Sequence, residues 1–151
     1  MIKIEVPTKS EIEELGLLAD ELVASSKSLQ WVEDYREIYK QIILGFLSET
    51  DKTVFVAKNG EEIIGVVTGS ITNSGPMQGN KKIGLINTLT VLPPYRRKGI
   101  GRKLCGRITQ WFSSQNVEEL TLFNTVENEQ SKAFWESCGF KVFLEQRKKQ
   151  I

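Results

Sequence analysis

Apolar and polar residues alternate at the start of the chain, with Ile2, Ile4 and Val6 set against Lys3 and Glu5. That period of two belongs to a half-buried strand. Pro7-Thr8 ends it, and Thr8 with Glu11, or Ser10 with Glu13, has the spacing of a helix capping box. Ile12, Leu15, Ala19, Leu22 and Val23 then recur at helical spacing, and a serine-rich stretch, Ser25, Ser26 and Ser28, interrupts the pattern. A second helix is expected from about Trp31 to Leu47, with Trp31, Tyr35, Ile38, Ile42 and Phe46 on one face.

The middle of the chain reads as strands. Thr53 to Lys58 and Ile63 to Ile71 flank Asn59-Gly60, a strong hairpin signal. Gly65 and Gly69 in the second of these runs point to a bulge or close packing. Asn73 to Lys82 has loop composition, and Ile83 to Leu92 is the fourth strand, stopped by Pro93-Pro94. Ile100, Leu104, Ile108 and Phe112 next recur every four residues, which predicts a long helix. Glu118 to Phe123 is a fifth strand. Ser131, Phe134, Trp135 and Cys138 belong to a short helix that stops at Gly139, and Phe140 to about Lys148 is expected as a last strand. Short connections make the first four strands antiparallel. A strand-helix-strand crossover makes the fourth and fifth parallel. The fold class is α/β, a mixed central sheet flanked by helices.

Composition adds bounds. At 151 residues and 17.1 kDa the chain is expected to form one domain, 1–151. The net charge of +1 gives no global reason to bind nucleic acid. Charge is unevenly placed, however. No Asp or Glu occurs between Ile63 and Val117, whereas Lys81, Lys82, Arg96, Arg97, Lys98, Arg102, Lys103 and Arg107 all do. Histidine is absent, which removes the commonest metal ligand and the usual imidazole base, and no metal site is expected. Cys105 and Cys138 do not define a disulfide scaffold. With no secretory segment and no membrane-length apolar run, a cytoplasmic protein is expected.

The charge asymmetry centres on Arg96-Arg97-Lys98-Gly99-Ile100-Gly101, between the fourth strand and the long helix. A helix N-terminus offers unpaired N–H groups and partial positive charge, and glycines let a ligand approach the backbone. Such a turn can cradle a diphosphate. It is not a G-x-x-x-x-G-K-[ST] loop, and Leu104 stands where a G-x-G-x-x-G fingerprint needs its last glycine.

The pattern Val91-x-Pro93-x-Tyr95-Arg96-x-x-Gly99-x-Gly101-x-x-Leu104 resembles the GCN5-related N-acetyltransferase (GNAT) family. So does Asn128-x-x-Ser131-x-x-Phe134-Trp135-Glu136-x-x-Gly139-Phe140, further along. The resemblance covers nearly the whole chain and implies acetyl-coenzyme A as cosubstrate. It also implies a sheet whose fourth and fifth strands splay apart into the acetyl-CoA cleft. By that resemblance the pantetheine arm lies along the fourth strand around Leu89 and Val91. The diphosphate sits on the amides of Arg97, Lys98, Gly99, Ile100, Gly101 and Arg102, with Arg96 and Arg97 as side-chain contacts. Asn128 and Ser131 match positions that meet the pantetheine or open the last helix, and Trp135 packs on the cofactor or in the core.

The resemblance further implies transfer of an acetyl group to a primary amine, with the Leu89 amide polarising the thioester carbonyl. Two positions depart from the common family pattern. Trp135 stands where a tyrosine acid is usual, and Asn87 where a strand glutamate is usual. Asn87 and Thr88 can hold a relaying water. Glu127, Glu33 or Glu37 are candidate carboxylates acting through water, and Tyr35 or Tyr39 are candidate replacements for the tyrosine. Glu33, Asp34 and Glu37 also suit a cationic acceptor, so a small-molecule amine is the expected substrate. Many family members are dimers, so a homodimer is among the implied assemblies. The alternatives are a CoA-binding sensor with little catalysis, or an acyltransferase using a different acyl-CoA.

Overall fold

A computed structural model describes all residues 1–151. Its sheet has five strands in the order β1-β2-β3-β4-β5, where β1 is Ile2–Glu5, β2 Lys52–Asn59, β3 Glu62–Asn73, β4 Lys82–Val91 and β5 Glu119–Leu122. The first four pair antiparallel and β5 pairs parallel with β4. The helices are α1 (Gly16–Ser25), α2 (Tyr35–Ser48), α3 (Ile100–Ser114) and α4 (Glu129–Ser137).

Each face of the sheet carries its own core. On one face Ile12, Leu15, Leu18, Tyr39 and Ile43 pack on Val54, Val56 and Val66. On the other, Ile100, Leu104, Ile108 and Phe112 of α3 and Trp135 of α4 pack on Phe55, Val67 and Ile86. The four-residue stripe of α3 is therefore the buried face that its periodicity predicts, each residue at most 3% exposed. Gly69 and Gly84 let that helix approach, since a Cβ on Gly69 would lie 2.6 Å from Ile108 Cδ1 and one on Gly84 2.8 Å from Phe112 Cδ1.

Several boundaries differ from the sequence reading. The segment after Thr8, whose N–H donates to Glu11 Oε2 at 3.1 Å, begins as a 3₁₀ turn over Lys9–Leu15 before α1. α2 starts at Tyr35 rather than Trp31, because the Trp31 indole donates to Ser26 O at 3.0 Å and closes the preceding loop instead. The hairpin turns on Gly60 and Glu61, since Asn59 still pairs with Glu62 and only Gly60, at φ 65°, is left-handed.

The largest correction concerns the C-terminus. Phe140 to Lys148 is not a strand: no residue beyond Gly139 pairs with the sheet, and those beyond Phe140 are exposed. A strand needs a neighbour for its backbone groups, and the segment leaves α4 without running beside β5.

Candidate functional site

β4 is the axis of the site. It pairs with β5 only from Ile83 to Ile86, opposite Glu119 to Leu122. From Asn87 to Val91 it keeps β3 on one side and has no strand on the other. This is the splay expected between the fourth and fifth strands, and it leaves a slot beside Leu89 and Val91 where an extended chain can lie.

Where the splay starts, β4 bulges. Thr68 pairs with Thr88 and Gly69 with Ile86, so Asn87 is the extra residue. A bulge re-aims side chains. Ser70 Oγ donates to Asn87 Oδ1 at 3.0 Å, and the Thr68 and Thr88 hydroxyls meet at 2.8 Å. Thr68 and Ser70 share the strand face of Val66, which α1 and α2 cover, so Asn87 and Thr88 both turn toward that side. Tyr39 of α2 is buried, and its hydroxyl lacks a hydrogen-bond partner. Burial pushes its phenol well above the usual range, opposed in part by the neighbouring Thr88 hydroxyl. The cluster contains no carboxylate.

The turn after β4 forms the other half of the site. Arg96 N–H donates to Pro93 O at 3.2 Å, and the next backbone bond of the segment is Lys103 N–H to Gly99 O at 3.1 Å. Between them the N–H groups of Arg97, Lys98, Gly99, Ile100, Gly101 and Arg102 donate to no protein acceptor. Arg97 and Gly99 are left-handed, at φ 64° and 81°. Alternation of this kind points successive amides toward one concavity, and the start of α3 adds its dipole. The residues present fit a diphosphate, which needs several convergent donors and space for its oxygens.

The side chains of the turn do different work from what the sequence suggests. The Arg96 guanidinium donates to Val91 O at 2.8 Å and to Glu21 Oε2 at 2.9 Å, so it ties the end of β4 to α1. Arg102 donates to Ser137 Oγ at 2.8 Å, and Lys98 lies over the Tyr95 ring at 5.7 Å. Tyr95 in turn donates to Glu62 at 2.7 Å. Arg97 is the one basic side chain of the turn without such a tie, and it is exposed.

The two glycines are needed for different reasons. A Cβ at Gly99 would meet no protein atom, so its requirement is the left-handed backbone and not crowding within the protein. A Cβ at Gly101 would lie 3.1 Å from Phe134 Cε1 and 3.8 Å from Leu89 Cδ2. Phe134 thus floors the turn beside Leu89, a role the sequence reading missed. The sequence placed Phe134 on a short helix and in the second family-like pattern, but nothing local ties it to a glycine 33 positions earlier.

The remaining candidates are placed as follows. Asn128 caps α4, accepting from Ser131 N–H at 3.0 Å and reaching Ser25 O at 3.4 Å. Trp135 is 8% exposed and packs edge-on against Phe134 and Phe140. Glu127 accepts from Ser28 N–H at 3.0 Å, and hydrogen bonding from Ser28 holds its carboxyl below the usual carboxylate range. Tyr35 donates to Asp20 at 2.6 Å, and Arg36 grips the same carboxylate. Glu33 and Glu37 are exposed.

The chain as a whole is similar to known proteins. The description "Acetyltransferase (GNAT) family" matches residues 19–140. The chain belongs to the GNAT acetyltransferase family. It is an N-acetyltransferase, and acetyl-CoA is its acetyl donor. An uncharacterised N-acetyltransferase of Archaeoglobus fulgidus is 30% identical over 115 residues, 74% of this chain and 78% of the relative. Among solved structures, a transcriptional regulator from Bacillus halodurans superposes with a TM-score of 0.81 at 21% identity, covering 100% of both chains. An aminoglycoside N-acetyltransferase in complex with CoA superposes at 0.80 and 17% identity, over 100% of this chain and 95% of that one. These last two likenesses establish the GNAT fold. No helix of this GNAT protein is long and apolar enough to cross a membrane.

Proposed function

We propose that the enzyme moves an acetyl group directly to the primary amine of a small molecule. The observation that carries this reading is the run of free amides from Arg97 to Arg102 at the mouth of the open edge of β4. These amides hold the diphosphate, Arg97 adds its side chain, and the unpaired stretch around Leu89 and Val91 receives the pantetheine. Asn128 and Ser131 frame the start of α4 beside that arm. When bound, acetyl-CoA supplies an activated thioester carbonyl.

The chain's own groups then act as follows. The Leu89 N–H donates to the carbonyl oxygen as negative charge develops on it. Asn87 and Thr88, aimed by the bulge toward α2, hold a water that takes the amine proton to solvent. As the C–N bond forms and the C–S bond breaks, the thiolate departs without a tyrosine acid. A thiol of pKa about 8.5 is a tolerable leaving group. Glu127 is the alternative base, but its bond to Ser28 makes it a weaker proton acceptor. Aminoglycoside acetyltransferases among the similar folds, together with the acidic Glu33, Asp34 and Glu37, support a cationic small-molecule amine as acceptor.

The test is thiol release from acetyl-CoA over a panel of aminoglycosides, polyamines and peptide N-termini, with CoA affinity measured alongside. Turnover with one of the small amines is expected. Tight binding without turnover on any amine would favour a CoA-binding sensor, and turnover only with a longer acyl-CoA would reassign the donor.

A further inference from the structure

Two thiols meet where α3 and α4 pack together. Cys105 lies on α3 one turn after Gly101, and Cys138 closes α4 one turn after Phe134, its N–H donating to Phe134 O at 3.1 Å. Residues four apart share a helix face, so each cysteine stands on the face that its helix turns to the other. Along those faces the Phe134 ring lies over Gly101, the Arg102 guanidinium donates to Ser137 Oγ, and the Cys138 side chain packs against the cluster that contains Cys105. Both are free thiols, and the chain has no other cysteine.

The two thiols differ in access. Cys105 is 7% exposed, and burial, together with the adjacent Cys138 thiol, pushes it up to about 11. Cys138 is partly exposed at the end of α4. A small reagent in solution therefore reaches Cys138 first, and Cys105 is the thiol placed to react next. The two helices also differ in freedom. α3 is fixed to the sheet by Ile100, Leu104, Ile108 and Phe112, whereas α4 buries only Trp135. A bond closed between the sulfurs moves α4 more than α3, and Phe134 moves with it.

We infer that Cys105 and Cys138 form a dithiol modification site, which a low-molecular-weight disulfide converts to an intramolecular disulfide, and that the drawn-in Phe134 then narrows the slot beside Leu89 and weakens CoA binding. The Cys138 thiolate attacks one sulfur of the small disulfide, forming a mixed disulfide and releasing one small thiolate. Cys105 loses its proton to water and attacks the Cys138 sulfur, releasing the second small thiolate. The protein gives up two electrons and two protons, and the small disulfide becomes two small thiols. Contact with Cys138 offsets the small thiolate fraction at Cys105. The effect on CoA rests on the proposed place of the cofactor beside Gly101 and Leu89, whereas the disulfide itself does not.

The test is treatment of the full chain with excess oxidised glutathione, read by intact mass without reductant and by CoA affinity before and after dithiothreitol. The wild type is expected to lose two hydrogens, keep no glutathione and stay uncrosslinked. Cys105→Ala should keep one glutathione on Cys138, and Cys138→Ala should stay unmodified while folded. CoA affinity of the oxidised wild type should fall about tenfold and return on reduction, and that of treated Cys138→Ala should not change. A wild type that stays reduced, holds a stable glutathione adduct or crosslinks between chains overturns the proposal. So does an oxidised wild type that binds CoA as tightly as the reduced one. A reduced chain whose CoA affinity is indifferent to Gly99→Asp would instead overturn the cofactor placement, and the mass then decides the disulfide by itself.

Discussion

Ser70 donates to the side-chain oxygen of Asn87 across the β3–β4 bulge, at 3.0 Å. The bond fixes which way the Asn87 amide presents itself: its oxygen is engaged, so its NH₂ is the free end. That end can donate to a water or to an acceptor and cannot itself take a proton. Replacing Asn87 with Ala should lower kcat about tenfold and leave CoA affinity unchanged. Steady-state kinetics with calorimetric CoA titration reads both. A loss of CoA affinity instead would move Asn87 from the chemical step to the cofactor site.

Gly99 tests the cradle. Gly99→Ala forces a side chain into φ 81° and is expected to cost about 1 kcal/mol of stability while weakening CoA binding. Gly99→Asp should abolish binding, because it adds an unpaired negative charge at the proposed seat of the diphosphate. Unchanged CoA affinity in Gly99→Asp would displace the diphosphate from this turn.

Gly101 and Phe134 form a pair that can be tested together. Gly101→Ala should weaken CoA binding because the new Cβ sits 3.1 Å from the Phe134 ring, and Phe134→Leu in the same chain should recover part of the loss. Additive losses would mean that the two residues act separately.

Trp135→Phe should destabilise the protein by about 1–3 kcal/mol and leave kcat nearly unchanged, since the indole is a core residue. Thermal unfolding and turnover separate the two effects. A fall of about 100-fold in kcat with normal stability would give the indole a part in the chemistry.

The pH profile discriminates between the proton acceptors. Glu127 has its carboxyl held below the ordinary 4.5 by Ser28, so it is ionised throughout the neutral range. Its protonation produces an acidic limb only below pH 4.5, and stability from its bond to Ser28 likewise fades as pH falls through that lowered value. A limb in kcat/KM above pH 6 that survives Glu127→Gln belongs to the amine or to another group. Disappearance of an acidic limb below pH 4.5 in Glu127→Gln would restore Glu127 as base.

What the sequence reveals depends on how locally each feature is determined. The α3 stripe, the hairpin and the glycine turn are written in neighbouring residues, and the structure keeps them. Arg96 looks like a phosphate ligand because it stands beside the glycines. Its partners, Val91 O and Glu21, lie on elements brought together only by folding. The bulge at Asn87 has no local signature, for it is a mismatch of register between two strands. Phe140 to Lys148 has the alternation of a strand, but alternation reports suitability for a sheet and cannot name the neighbour.

The free amides of Arg97 to Arg102 carry a consequence for variation and for inhibition. A donor that belongs to the main chain is the same whichever side chain hangs from it. On the proposed placement of the diphosphate, side-chain changes in this turn would therefore leave the grip on the cofactor intact, provided that Gly99 and Gly101 keep their shape. A compound anchored on these amides would meet few escape mutations, whereas one anchored on Asn87, Tyr39 or the acidic start of α2 would meet many. Relatives of this enzyme can thus diverge toward new amines while the acetyl supply stays the same.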